Sequence, residues 1–306
     1  MHHTDKIFRG TCLICAGLIA ALMIGIFVQL GLHSADAWKQ FGLPFLWSEE
    51  WDPSLDHYGA WPNIAGTLLT TAISLIVAIP LAFVSALFVT EAPDWLSRIL
   101  SQCLDLLAAI PSVIYGMWGL YVLVPIMDEL IPRLTADGQL LENPFWGWLL
   151  GTDCYGMNFL TAGLILALMI LPYMSAVMRD VFRMTPPMLR ESAYGIGCTR
   201  WEATRDVVMR YGIRGLLGGI FIGMGRALGE TMAVLFVIGN VMVTPDGLLT
   251  SGTTIAATLA CNFAEADGMQ RSALFALGLI LLLMSFGIQV LSQYYLHLTR
   301  KSRGEA

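Results

Sequence analysis

The sequence predicts an all-α membrane protein with six transmembrane helices. Of its 306 residues, 56% are hydrophobic and only 13% are charged, and the mean hydropathy is +0.67. This composition leaves too little polar surface to coat a water-soluble domain. Helices satisfy their own backbone hydrogen bonds in lipid, and each needs about 20 apolar residues to cross the hydrocarbon. The stretches that meet this requirement are residues 10–32, 63–90, 99–127, 158–178, 216–240 and 272–296.

The first stretch has two interpretations, a transmembrane helix or a cleaved signal peptide. Lys6 and Arg9 precede it, and residues 35–37 resemble a small-residue cleavage site. The uninterrupted apolar run over 10–32 nevertheless exceeds the roughly 7–15 residues of a signal-peptide core. We therefore interpret it as a retained first span, which also gives an even number of spans.

The third stretch contains a proline that changes the backbone at membrane depth. Pro111 removes an intrahelical hydrogen bond and can break the helix around it. If the freed amides open towards a transport pathway, they and the Ser112 hydroxyl would suit an anion. The alternative is a packing kink without any ligand contact. Pro80, Pro125 and Pro172 show how common such prolines are in this chain.

The loop between the fourth and fifth stretches contains two predicted helix starts. Thr185, followed by two prolines, suits an N-cap, and Gly195 and Gly197 would end a helix of about two turns. Thr199 and Glu202 have the spacing of a capping box, which would start a helix returning to the membrane. The alternative interpretation is a solvated basic loop that serves membrane topology alone.

The fifth stretch carries an arginine and a glutamate where each charge is costly. At 100° per residue, Arg226 and Glu230 share a face with Gly215, Gly219 and Gly223, and a face with this glycine spacing is expected to meet protein. Arg226 would lie near the middle of the bilayer. The structural interpretation is a buried ion pair. The functional interpretation, which we favour because intramembrane charges are functional by default, is an arginine lining an anion pathway and held by Glu230.

Lysine and arginine are distributed unevenly between the two sides of the predicted membrane. One side, which comprises both terminal tails, 91–98 and 179–215, contains most of the basic residues. The opposite loops contain only Lys39 and Arg133 together with many acidic residues. The positive-inside rule therefore predicts a multi-pass protein of the cytoplasmic membrane with both termini in the cytoplasm.

Cysteine and histidine indicate neither a disulfide framework nor a metal site. Cys12 and Cys15 lie in an apolar span, where we interpret them as small packing residues. Cys154 and Cys261 are both on the outer side, so a bridge between them depends on whether their loops meet. The histidines lack ligand spacing, and no phosphate-binding loop of the type G-x-x-x-x-G-K-[ST] is present. We expect no metal, no cofactor, no nucleic-acid partner and no ATPase site of its own.

The returning loop resembles a motif of a known transporter family. Glu191, Ser192, Ala193 and Gly197 are similar to the E-A-A-x-x-x-G core of ABC importer permeases with the MetI-like type I bundle. The resemblance implies that the short helix is a cytoplasmic coupling helix, which seats on a separate dimer of ATPase subunits. The family pattern continues with I-x-L-P, whereas this chain has V-V-M-R at 207–210.

Further segments resemble the phosphate-specific branch of that family. They are I-P-S-V-I-Y-G-M-W-G at 110–119, G-R-A-L-G-E-T at 225–231 and N-F-A-E-A at 262–266, and the tryptophan favours a PstC-type subunit. The resemblance implies a role in importing phosphate, with Arg226 and Glu230 along the substrate pathway. Ser112 is a candidate for the same pathway because of the break at Pro111. It also implies three partners: a PstB-type ATPase dimer, a second permease of the PstA type and a periplasmic phosphate-binding protein of the PstS type.

The resemblance covers most of residues 61–296 and suggests a division of the chain. Residues 1–60 would contain the N-terminal tail, first helix and periplasmic segment, 61–296 the permease core, and 297–306 the cytoplasmic tail. Two alternatives within transport are a permease for sulfate, molybdate or phosphonate and the PstA-type partner itself. A remote alternative is an intramembrane enzyme that uses Arg226, Glu230 and Asp105, although these charges form no nucleophile-base or metal set.

Overall fold

The computed structural model describes residues 2–135, 142–151 and 155–301. Within these ranges, six helical stretches are long and apolar enough to cross a membrane, which confirms the predicted number of spans. They are Phe8–His33, Trp61–Glu91, Ser112–Leu134, Phe159–Arg183, Arg200–Leu228 and Gly268–His297. Cys154, which could form a bridge with Cys261 if their loops meet, lies outside the described residues.

The described elements are almost entirely helical. The helices are α1 His2–His33, α2 Ala35–Phe41, α3 Trp61–Glu91, α4 Asp94–Ala109, α5 Ser112–Trp118, α6 Val124–Leu134, α7 Pro144–Leu150, α8 Phe159–Arg183, α9 Pro187–Gly195, α10 Arg200–Glu202, α11 Met209–Leu228, α12 Met232–Leu235, α13 Ile255–Asn262 and α14 Gly268–Lys301. Leu43–Leu46 forms a 3-10 turn, and π-helical turns over Gly119–Leu123 and Ala203–Val208 join α5 to α6 and α10 to α11. The two strands, β1 Trp51–Asp52 and β2 His57–Tyr58, form an antiparallel hairpin.

The main apolar core lies between α3 and α8. Both helices contribute large buried side chains, and small residues let their backbones approach closely. A Cβ atom at Gly163 on α8 would collide with Ile73 on α3. Helix α8 is the most buried of the six spans. It is therefore called the central helix of the bundle, and α3 and α8 together are called the central helices.

The two ends of the bundle can be recognised by what they carry. The end with the β-hairpin, here called the hairpin end, also contains a small apolar cluster that packs α2 and the 3-10 turn against α14. His33 at the end of α1 stacks on Phe275 of α14, and its carbonyl accepts a hydrogen bond from Ser272 Oγ at 2.9 Å. The opposite end carries residues 184–199 and is called the loop end.

The glycine face of α11 packs against α8, as the sequence predicts. Cβ atoms at Gly219 and Gly223 would lie 3.3 Å from the Val177 side chain and 2.6 Å from the Met174 side chain. Gly215 contacts Val181 in the same way. The stripe of glycines thus serves close helix packing along the loop-end half of α8.

Two predicted spans have different bounds in the structure. The stretch predicted at 99–127 consists of α4, a break at Ile110 and Pro111, and then the span Ser112–Leu134. The stretch predicted at 216–240 ends much earlier, because helix α11 stops at Leu228. Hydropathy alone does not reveal these ends, since a further apolar run, residues 232–238, follows Leu228.

The chain beyond α11 is mostly non-helical yet buried within the bundle. After the single turn of α12, residues 236–254 run towards the hairpin end, with Val237, Ile238 and Thr253 buried. An isolated bridge pairs Gly239 with Gly252. Irregular backbone at such depth is tolerated where protein encloses it or where it lines an aqueous cavity.

Candidate functional site

Arg226 lies in the last turn of α11 and is exposed on the surface of the single chain. Its guanidinium carbon is 4.1 Å from the centroid of the Tyr173 ring. Tyr173 lies near the middle of the 25-residue helix α8. Arg226 is therefore level with the middle of the central helix, although it stands at the end of its own. A cation over an aromatic face gains about 0.5–2 kcal/mol, depending on how far it is desolvated.

Tyr173 also connects this arginine to the broken third span. Its hydroxyl donates to the carbonyl oxygen of Ala108 at 2.7 Å, and the hydroxyl of Tyr115 donates to the carbonyl of Leu107 at 2.8 Å. A helix end leaves carbonyls without intrahelical partners. The two tyrosine hydroxyls thus bond to carbonyl groups at the end of α4, next to the break at Pro111.

The predicted break at Pro111 is confirmed. Ile110 and Pro111 adopt extended backbone, with ψ angles of 127° and 142°, and α5 begins at Ser112. The Ser112 side chain is partly buried, and no helix-capping hydrogen bond from a side chain is present at this start. The structure therefore leaves the first turn of α5 and the Ser112 hydroxyl as candidate donors for a ligand.

Helices α5 and α12 bring the two predicted parts of the pathway together. Gly116 on α5 packs directly against α12, where a Cβ atom would lie 2.8 Å from the Met232 carbonyl oxygen. Helix α12 begins at Met232, so only Thr231 separates it from Glu230, and α5 begins with Ser112. The site therefore consists of the end of α11, the break before α5 and Tyr173 between them.

The predicted ion pair between Arg226 and Glu230 is wrong. Both residues are described, and no ion pair joins them. The helix ends before Gly229, so the two side chains no longer share the face that continuous helical geometry would give them. Glu230 instead accepts a hydrogen bond from the backbone N–H of Ala233 at 3.2 Å and supports the start of α12.

A second candidate site is the turn at the loop end. Helix α9 buries Ala193 and exposes Glu191 and Ser192, and Gly197 follows it with a φ of +95°. This φ is rare for residues with a Cβ atom, which explains the glycine. The N–H groups of Gly197 and the next residue bond back to the last turn of α9.

One of the two predicted helix caps in this loop is confirmed and the other is wrong. Thr199 and Glu202 form both hydrogen bonds of the predicted capping box. The cap predicted at Thr185 is not formed, because Pro186 occupies the N-cap position of α9. Thr185 is instead buried, and its hydroxyl has no hydrogen-bond partner.

Apolar side chains surround the exposed face of this turn. Met188 precedes Glu191 on α9, and Ile196, which is 84% exposed, follows the helix. Trp201 is exposed at the start of the return helix. Exposed apolar groups next to a carboxylate and a hydroxyl form a surface suited to a protein partner.

Sequence reasoning missed two residues that organise these sites. Tyr173 carries no local motif, and its contacts lie on α4 and α11, far away along the chain. In the sequence, Arg190 cannot be distinguished from the other arginines of the loop. In the structure it forms hydrogen bonds with both α3 and α8. Only the helix packing distinguishes these side chains from their neighbours.

The family model and the similar proteins of known sequence agree on the family. Residues 78–301 match the family described as binding-protein-dependent transport system inner membrane component. The phosphate transport system permease protein PstC of Pasteurella multocida (strain Pm70) is 44% identical over 306 residues, which cover 99% of this chain and 95% of that protein. The protein of the same name from Mesorhizobium japonicum is 44% identical over 295 residues, covering 96% and 90% of the two chains.

Solved structures show the same fold at low identity. A chain of a bacterial alginate ABC transporter, in complex with an alginate pentasaccharide-bound periplasmic protein, aligns with a TM-score of 0.61 at 18% identity and covers 98% of each chain. A chain of the MetNI methionine ABC transporter in an inward-facing conformation aligns with a TM-score of 0.53 at 14% identity, covering 78% of this chain and 93% of that one. These likenesses confirm the predicted MetI-like bundle.

Proposed function

Because this chain belongs to the family of binding-protein-dependent transport system inner membrane components, we propose that it is the PstC-type permease subunit of an ATP-driven importer of inorganic phosphate. It is a multi-pass inner-membrane protein. The observation that carries the proposal is the position of Arg226, which places an exposed guanidinium level with the middle of the central helix. The identity to permeases named for phosphate transport supports the choice of anion.

An exposed arginine at this depth needs a polar neighbour. A charged side chain facing hydrocarbon at the centre of a bilayer costs about 2.5–3.5 kcal/mol or more. The stacking on Tyr173 offsets only part of this cost. We infer that the surface around Arg226 faces a second permease of the PstA type, and that a water-filled pathway for phosphate runs between the two subunits.

The anion would meet three groups along this pathway. Arg226 supplies the positive charge, and the Ser112 hydroxyl with the first amides of the third span supplies hydrogen-bond donors. Glu230 is held by the Ala233 amide and keeps the backbone turn after α11 in place.

The loop end would be cytoplasmic, since the basic residues concentrate there. The exposed face of α9, with Glu191, Ser192 and nearby apolar side chains, would dock on a PstB-type ATPase dimer. The hairpin end would receive a PstS-type periplasmic phosphate-binding protein. The chain has no phosphate-binding loop, so ATP hydrolysis would occur in the partner subunit.

Reconstitution tests the substrate directly. The complex of this chain with its proposed ATPase and permease partners, placed in proteoliposomes with ATP inside, is expected to accumulate radiolabelled phosphate in the presence of the binding protein. Sulfate, molybdate and phosphonate should neither accumulate nor compete at equal concentration. Accumulation of one of these anions in place of phosphate would contradict the proposed substrate, and uptake by the purified chain without an ATPase would contradict the proposed mechanism.

Tyr173 is expected to be required for uptake through both of its contacts. Tyr173→Phe keeps the ring under Arg226 but leaves the Ala108 carbonyl without its donor, so uptake should fall about three- to tenfold, as for one lost hydrogen bond. Tyr173→Leu removes both contacts and should reduce uptake further. The matched control is Tyr121→Leu, at an exposed tyrosine of the third span. Equal uptake in Tyr173→Leu and Tyr121→Leu would show that Tyr173 does not position the site.

Ser112 is expected to be accessible from water in at least one transport state. In a cysteine-free background, Ser112→Cys should react with a membrane-impermeant thiol reagent, and phosphate with the binding protein should slow the reaction. Ala108→Cys, on the other side of the break, serves as the comparison. Failure to label Ser112→Cys in every nucleotide state would instead favour a packing kink at Pro111.

A further inference from the structure

One arginine of α9 is bonded to two transmembrane helices. Arg190 Nη1 lies 3.1 Å from Glu91 Oε1, at the last residue of α3. Arg190 Nη2 donates to the carbonyl oxygen of Phe182, in the last turn of α8, at 3.0 Å. Helices α3 and α8 form the main apolar core. A single side chain of the loop helix therefore reaches both central helices.

This ion pair is shielded and joins residues that are far apart along the chain. The Arg190 and Glu91 side chains are only 23% and 32% exposed, and 99 residues of chain separate them. The pairs of Arg133 with Glu129 and of Arg210 with Asp206 are exposed contacts between residues four positions apart. Solvent weakens such surface pairs, whereas a shielded, charge-assisted pair between elements is stronger. The ion pair between Arg190 and Glu91 is thus suited to make α3 move together with α9.

The other hydrogen bonds of α9 shown among the described residues lie within the helix and its turn. The Ser192 hydroxyl bonds within α9, to the Met188 carbonyl. Ala193 is buried, and its carbonyl accepts a bond from Cys198 at the turn. These contacts stabilise the helix itself and its turn. They do not connect it to α3 or α8.

We propose that Arg190 is the positioning residue through which movement of α9 reaches α3 and α8. This inference rests on the proposed function, in which α9 docks on the ATPase. Helix α8 runs unbroken from Phe182 back to Tyr173, nine residues or about 14 Å along the helix. A displacement at its loop end therefore moves Tyr173. Since Tyr173 contacts Arg226 and the Ala108 carbonyl, the displacement reaches the anion site.

The test measures coupling in the reconstituted full complex. Arg190→Gln should leave complex assembly intact and lower the phosphate imported per ATP hydrolysed about tenfold, because both charge-assisted bonds are lost. Arg190→Lys should recover only part of the ratio, since one ammonium cannot reach both acceptors with the geometry of a guanidinium. The matched control is Arg183→Gln, which removes an exposed arginine at the end of α8.

A double-mutant cycle separates the two bonds. Glu91→Ala removes the bond to α3 but keeps the bond to α8. The amount of phosphate that this variant imports per ATP hydrolysed should therefore lie between those of the wild type and Arg190→Gln. The double variant should be no worse than Arg190→Gln alone, because both changes remove the same ion pair. Additive losses in the double variant would overturn a shared role for the pair.

Further outcomes separate this inference from the proposed function. An unchanged import ratio in Arg190→Gln, beside a coupled wild type, overturns the role of Arg190 alone. A lower melting temperature with an unchanged ratio shows a purely structural contact and also overturns it. A wild-type complex that hydrolyses ATP but imports no phosphate contradicts the proposed function instead.

Discussion

Replacing Arg226 with glutamine is expected to lower phosphate uptake at least tenfold while the importer still assembles. Glutamine can still donate a hydrogen bond, but it carries no charge to attract an anion into the membrane. Loss of one charge-assisted hydrogen bond costs about 1.5–3 kcal/mol, which corresponds to roughly 10- to 100-fold in uptake. The cation–π contact with Tyr173 disappears as well. Uptake of labelled phosphate into proteoliposomes measures the effect.

Two further variants show whether charge or geometry matters at this position. Arg226→Lys keeps the charge and should retain part of the uptake, because an ammonium stacks less well on an aromatic ring and binds phosphate as a point charge. Arg210→Gln removes an exposed arginine of the same helix that pairs with Asp206, and it should transport normally. Uptake by Arg226→Gln equal to that of Arg210→Gln would contradict an anion pathway at Arg226.

Replacing Gly197 with valine is expected to uncouple ATP hydrolysis from transport. Gly197 has a φ of +95°, and no atom lies within 4 Å of the position that a Cβ would take. The cost is therefore backbone strain rather than a clash, about 1–2 kcal/mol. The turn should relax to another angle and move the exposed face of α9. Gly195→Val is the matched control, because Gly195 is helical and its surroundings are equally open.

Glu191→Lys tests the same surface without changing the backbone. Glu191 is exposed, so a lysine fits sterically but reverses the charge presented to the ATPase. Binding of the ATPase dimer, measured by co-purification, should weaken, and uptake should fall with it. Unchanged ATPase binding and uptake in both Gly197→Val and Glu191→Lys would show that this turn is not the coupling element.

Much of the fold follows from local sequence patterns. The number of spans depends on apolar runs that must match the bilayer, and the break at Pro111 depends on one residue that cannot donate to the helix. The capping box at Thr199 and Glu202 is likewise a local arrangement. The glycine stripe of α11 also predicts a contact with protein, because glycines at this spacing allow another helix to approach closely.

The details of the site depend on contacts between distant segments. Helix α11 ends at Leu228, and α12, which follows it, packs against α5. A periodicity argument that continues through Gly229 therefore misplaces Glu230. The partner of Arg226 is an aromatic ring on α8, and no spacing along the chain indicates it. The Thr185 cap failed because Pro186 already provides the extended backbone at the start of α9.

Charge rescue at position 226 tests the proposed pathway most directly. In a cysteine-free background, Arg226→Cys should be inactive in phosphate uptake. Modification with a thiol reagent that adds an ammonium group should restore part of the uptake, whereas a reagent of similar size that adds a sulfonate should not. Phosphate-loaded binding protein with ATP should slow both modifications. Near-normal uptake by unmodified Arg226→Cys, or equal uptake after either reagent, would contradict an anion pathway past this residue.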